Sequence, residues 1–209
     1  MPLLDVPATK SALLALRRQL AFAEEGYALL DQKRELLLLE LASVRARAAG
    51  VRAGTDALLA RAKAALRAAT LDAGGAALDR AALGAPRGYG VEIKERRLMG
   101  VRLPECSAPA PGREAAFGPG AVTAAADAAR RLFLEALAPL AELAGLETSG
   151  ARLERELKKT QRRCNALSKK VIPECRETMV FLGGALEERE REAFVILRII
   201  RDKLRLEKT

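Results

Sequence analysis

The residue types that most often carry chemistry are sparse in this 209-residue chain. Histidine is absent. That removes Ser-His-Asp and Cys-His nucleophile systems, and with them the commonest zinc ligand. Glu187 and Glu188 are adjacent carboxylates, a pair that could serve acid–base catalysis. They lie, however, in the run LEEREREAF, where Glu187 and Arg191 have the i,i+4 spacing of an exposed helical ion pair. GAPRGYG, residues 84–90, has the glycines of a phosphate loop but not the Lys-Ser/Thr that follows them, and reads as a turn. Cys106, Cys164 and Cys175 are odd in number and contain no C-x-x-C pair. Cys164 fits a small seam position better than a redox centre. Neither a nucleophile elbow nor a P-loop is present, so no catalytic residue, metal ligand or cofactor is expected. The chemistry left is charge. Arg198, Arg201 and Arg205 align along one side of the last helical stretch, and Lys10, Arg17 and Arg18 lie near the start.

Across the whole chain, composition limits what can hold these charges. Half the residues are apolar, but they are mostly Ala and Leu; aromatics make up 3% and Trp is missing. Charged residues make up 30%, with a net charge of +9. Ala, Leu, Glu, Arg and Lys at this density read as long helices or coiled coil, with a thin seam instead of a compact core. The basic balance suits nucleic acid, an anionic membrane surface or an acidic protein. The near-absence of aromatics argues against stacking on unpaired bases. The first nine residues lack a signal-peptide pattern, and no apolar run approaches the ~18 residues of a spanning helix. A reducing setting and peripheral membrane association at most are therefore expected.

Three segments follow, taken as 1–72, 73–120 and 121–209. Leu13, Leu16, Leu20, Ala23, Tyr27, Leu30, Leu37, Leu41, Val44, Ala48, Val51 and Leu58 keep a 3-4 repeat, broken only by Arg34 and Thr55. Pro7, Thr9 and Ser11 predict the helix start. The middle segment is rich in Gly and Pro. VEIKERRLMGVRLPE predicts a short β-hairpin over about 91–103, with KERR near its turn, Val91 and Ile93 on one arm, and Met99, Val101 and Leu103 on the other. Helix returns from Ala121, with Pro139 and Pro173 expected to bend or break it. Its seam runs Leu153, Leu157, Thr160, Cys164, Leu167 and Val171, then re-phases with a slip expected near Gly183-Gly184. The fold class is mainly α: a long antiparallel two-helix coiled coil of the N- and C-terminal segments, with a hairpin-bearing insert, forming one elongated unit. Near the end, Ala193, Ile196, Leu197, Ile200 and Leu204 form one apolar stripe, and Val195, Ile199 and Leu206 another nearly opposite. The first stripe is expected to pack on the N-terminal helix and the second to face outward.

PATKSALLALRRQLAFAEEGYALLDQKRELLLLEL near the start, KKTQRRCNALSKKVIPECRETMVFL, and LEEREREAFVILRIIRDKL near the end together resemble the D subunit of V-type and archaeal A-type ATPases. The resemblance covers nearly the whole chain in order and includes the hairpin region. It implies a non-catalytic rotor axle at the cytoplasmic face of the membrane, coupling ATP hydrolysis or synthesis in the head to proton or sodium movement. It also implies the partners: the A and B subunits of the head, the small F subunit of the stalk, and the C/d-type subunit that caps the membrane ring. On this view Lys10, Arg17, Arg18, Val195, Arg198, Ile199, Arg201, Arg205 and Leu206 meet the collar of the head. Val91, Ile93, Met99, Val101 and Leu103 meet the F subunit. The competing expectation is a basic coiled coil that binds nucleic acid or acts as a scaffold.

Overall fold

A computed structural model describes residues 6–83, 90–109 and 123–206, with side chains described to Lys203. Its elements are α1 (Lys10–Ala73), α2 (Gly75–Leu83), β1 (Glu92–Leu98), β2 (Val101–Ser107), α3 (Ala124–Ala166), a π-helical turn (Leu167–Val171) and α4 (Ile172–Leu206). The turn expected in 84–90 lies outside the described residues except for Gly90. The chain packs as two units: residues up to Glu35 with those from Lys158 onward, and Leu36–Leu157.

α1 starts where the sequence places it. The Thr9 hydroxyl accepts a hydrogen bond from the Ala12 amide at 3.2 Å, satisfying one of the helix's orphan donors. It ends at Gly74, whose positive φ (77°) lets its amide reach the Thr70 carbonyl at 3.0 Å. Every apolar position of the repeat is buried or half-buried. The two interruptions are absorbed differently. Thr55 is buried and donates its hydroxyl to the Val51 carbonyl at 2.8 Å. Half-buried Arg34 turns to Asp31, one turn back, at 2.7 Å.

In the unit Leu36–Leu157, Leu37, Leu41 and Val44 of α1 pack with Leu146 and Leu153 of α3 and with Val101 and Leu103 of β2. Burying each such side chain is worth about 1.5–3 kcal/mol. Arg45–Glu154 (2.5 Å) and Arg52–Glu147 flank this seam in antiparallel order, and Arg47 reaches Glu142 at 3.4 Å beside them. Exposed pairs contribute about 0–1 kcal/mol each, so the seam supplies the stability and the pairs help fix the register.

The hairpin departs from expectation in one respect. KERR lies within β1, and the turn is Met99-Gly100, both with positive φ (48° and 83°), as a two-residue type I′ turn requires. The register runs from Leu98 opposite Val101 to Glu92 opposite Ser107. β2 packs on α3 at very short range: a Cβ on Gly145 would lie 2.9 Å from the Cys106 amide nitrogen. The Ser149 hydroxyl donates to the Pro104 carbonyl (3.1 Å), and the Arg152 guanidinium to the Arg102 carbonyl (2.8 Å). β2 therefore spends its free carbonyls on α3, and Pro104, which has no N–H, is tolerated in an edge strand.

In the other unit, Leu16, Cys175 and Leu182 form the buried centre, with Leu13, Leu20, Val171 and Met179 around them. Arg176 meets Glu24 at 2.5 Å. α3 continues through Pro139 without a break. The re-phasing is not at Gly183-Gly184, which lie inside unbroken α4. It is at the π turn, where the Ile172 amide bonds the Leu167 carbonyl five residues back. Buried Cys164 and Ile172 are eight apart, one more than the seven separating Leu153 from Thr160. The π turn takes up that extra residue just before Pro173, whose ring and missing N–H disfavour a regular turn there.

Candidate partner-binding surface

The expected stripe packing fails at the end of α4. The Lys10 ammonium pairs with Glu190 at 2.6 Å, and the Arg189 guanidinium donates to the Ala8 carbonyl at 2.6 Å. The start of α1 is thus level with Arg189-Glu190, and α4 continues past it for residues 191–206, roughly 24 Å of helix. Ala193, Ile196, Leu197 and Ile200, expected to lie against the N-terminal helix, are exposed because no part of that helix reaches them. Val195 and Ile199 are exposed as well, and Phe194 is 73% accessible. Among the described residues both stripes stay open, and an apolar run this contiguous on a protein surface marks an interaction site.

The charged residues expected to act at this tip are arranged unevenly. Arg17, Arg18 and Arg198 are exposed. Lys10 is occupied by Glu190; that hydrogen bond, followed by the carboxylate's charge, raises the Lys10 pKa above its ordinary value. Arg201 bonds its neighbour Asp202 at 3.0 Å. The side chains of Arg205 and Leu206 lie outside the described residues.

The hairpin residues divide. Val101 and Leu103 are buried in the chain's own core, Leu103 at 2% exposure. Val91, Ile93 and Met99 are exposed, Ile93 at 66%. The split follows from the register: β2 buries Val101, Leu103 and Pro104 against the helices, while β1 is exposed up to Arg97 and adds only Leu98 to the core and the Arg96–Glu40 pair at its edge. The alternation of the arms is legible in the sequence. The face that packs is set by Gly145 and Ser149, which lie far away along the chain.

No catalytic constellation forms among the described residues. A groove of about 550 Å³ lies between α1 and α3, lined chiefly by Ala48, Ala49, Ala53, Gly150 and Ala151 and flanked by the Arg45–Glu154 and Arg52–Glu147 pairs. It presents small apolar groups, two Arg–Glu pairs and the Asp56 carboxylate. Hydrogen bonding to Glu147 and that residue's charge hold the Arg52 pKa above its ordinary value. Among the described residues no group of three or more His, Cys, Asp or Glu could hold a metal ion, and no helix is long and apolar enough to cross a membrane.

The profile of the family described as the D subunit of ATP synthase matches residues 12–202. The A-type ATP synthase D subunit of Pyrococcus horikoshii is 34% identical over 202 residues, covering 95% of this chain and 94% of its own. That of Methanopyrus kandleri is 32% identical, covering 98% and 89%. The V-type ATP synthase D subunit of Thermotoga neapolitana is 32% identical, covering 96% and 99%.

Proposed function

Because the chain belongs to the family of ATP synthase D subunits, we propose that it is the central-stalk axle of a V-type/A-type rotary ATPase or ATP synthase. It carries no active site of its own. It transmits torque between the ATP-handling head, built of A and B subunits, and a membrane ring that moves protons or sodium ions. The small F subunit binds beside it, a C/d-type subunit seats it on the ring, and the assembly lies at the cytoplasmic face of the membrane.

The observation that carries this reading is the end of α4, where Phe194, Val195, Ile196, Leu197, Ile199 and Ile200 are all exposed beyond the last pairing with α1. An apolar sleeve around such a tip would exclude water without directional bonds that resist turning. Charges at Arg17, Arg18, Arg198, Arg201 and Arg205 would favour particular angular positions against acidic groups of the collar. On the hairpin, Val91, Ile93 and Met99 offer an apolar face for the F subunit.

Pulldown of the tagged chain from native membranes tests the assignment. Recovery of head and stalk subunits supports it. Recovery of DNA, with an affinity that falls steeply with salt, would replace it with a nucleic-acid function.

A further inference from the structure

α1 covers the apolar pattern of α4 only in part, and a different pairing of the two helices would cover more of it. Lys10–Glu190 and Glu24–Arg176 lie fourteen residues apart on either helix, so the two sides of this seam advance in step. One heptad of slip would shift α4 by about 10 Å along α1. It would bring Leu197 level with Lys10 and draw exposed Ala193 and Leu197 under the start of α1. Burying them favours the slipped register. The pairs that flank the seam of Leu36–Leu157 do not forbid it. Arg45–Glu154 and Arg52–Glu147 repeat at the heptad spacing, so they exclude smaller slips but would let Arg52 take Glu154.

The seam residue that cannot make this move is Arg34. Its guanidinium reaches the Asp31 carboxylate at 2.7 Å, with the two side chains only 27% and 28% exposed. Asp31 Oδ1 is closed off from solvent and takes no well-directed hydrogen bond among the described residues. Seven residues beyond Glu24–Arg176, Asp31 comes level with Lys169, the middle of the π turn. There the Ile172 amide is spent on the Leu167 carbonyl and Pro173 has no N–H, so the Ser168 carbonyl lacks a helical donor. A cation held in a seam needs acceptors, and this level of α4 offers a wide turn with an open carbonyl. After the slip Arg34 would be level with Pro173, between buried Ile172 and Cys175, and would face apolar groups. A charge at one seam position lowers stability in every register, but least where it is paired and hydrogen-bonded, and so it selects among registers.

We propose that Arg34, with Asp31 and the π turn level with them, is a register lock. It makes the observed pairing of α1 with α4 the stable one and thereby keeps the end of α4 uncovered. The lock goes beyond the axle assignment, because it concerns the pairing of the chain with itself. For an axle it means that the two helices bear load without sliding past each other.

The test uses the isolated full chain. Glu24→Cys is combined with Arg176→Cys to report the observed register, and with Gly183→Cys to report the slipped one. Each pair is placed in the chain with Asp31 and Arg34 intact and in the double variant Asp31→Ala, Arg34→Leu. A short bismaleimide bridges the cysteines, and mass spectrometry of the bridged peptides separates them from Cys106, Cys164 and Cys175. With the ion pair intact the 24–176 bridge should exceed the 24–183 bridge at least about tenfold, as for a minor state below about 10%. In the double variant the two bridges should become comparable, while the thermal midpoint stays level or rises. Arg34→Lys keeps the charge and should keep the original ratio. A 24–183 bridge that stays rare in the double variant would overturn the lock. So would a double variant that melts well below the original chain, since the pair would then be an ordinary stabilising contact, or an Arg34→Lys chain that slips as readily as the double variant. None of these outcomes bears on the axle assignment, which the pulldown tests separately.

Discussion

The Lys10 ammonium lies 2.6 Å from the Glu190 carboxylate, and this pair closes the seam between α1 and α4. Beyond it α4 has no partner among the described residues, so the segment contributes little to folding. Ending the chain after Glu190 should leave the thermal midpoint of the isolated protein within about 2 °C of the full chain. In a reconstituted complex the same truncation should sharply reduce coupled transport. Replacing Arg198 and Arg201 with Glu should likewise lower the coupling ratio and spare the melting curve. An unchanged ratio in both variants would remove the tip from the mechanism.

Gly145 makes room for the approach of β2 to α3. A Cβ there meets the Cys106 backbone nitrogen at 2.9 Å, whereas a Cβ on Gly150 meets only the Val44 side chain, at 3.9 Å. Gly145→Ala should destabilise by about 1–3 kcal/mol, because backbone must move. Gly150→Ala should be neutral or gain up to about 1 kcal/mol of helix propensity. Urea titration of the two variants gives the comparison, and equal effects would contradict the crossing.

Met99 adopts a left-handed backbone (φ 48°) in the hairpin turn. Asn tolerates this conformation and Asn-Gly is the preferred type I′ pair. Met99→Asn should therefore stabilise the chain by roughly 0.5–1 kcal/mol in the same titration. A loss of stability would mean that the Met99 side chain is needed within the chain.

The long seam is legible because a repeat sustained from Leu13 to Leu58 has few explanations other than helix against helix. The turn at Met99-Gly100 is harder to place, because KERR is polar enough to suggest a loop. In the fold those side chains face water along β1, and Arg96 pairs with Glu40 of α1. Pro173 signals a disturbance, but the π turn five residues wide emerges only from the spacing of buried Cys164 and Ile172. Periodicity separates the two stripes after Glu192. Whether either finds a partner depends on where α1 begins, and periodicity within α4 carries no information about that.

Cys175 is buried, which pushes its thiol pKa above the ordinary value, and nearby Glu174 adds to the shift. A raised folded pKa gives stability that is complete below the unfolded value, about 8.5, and is lost as pH rises through the folded value. The raised Lys10 acts in the same direction at higher pH. The thermal midpoint should therefore fall on the alkaline side of about pH 8.5, and Cys175→Ala should flatten the first part of that decline. A decline of the same shape in the variant would assign it to other groups.

The most direct measurement follows the chain itself during turnover. A probe attached at Lys94→Cys, on the exposed strand β1, would be observed in single surface-held complexes supplied with ATP. The axle assignment predicts stepwise rotation in one direction, stopping when ATP is removed. A probe that stays still while the same complexes hydrolyse ATP would contradict it.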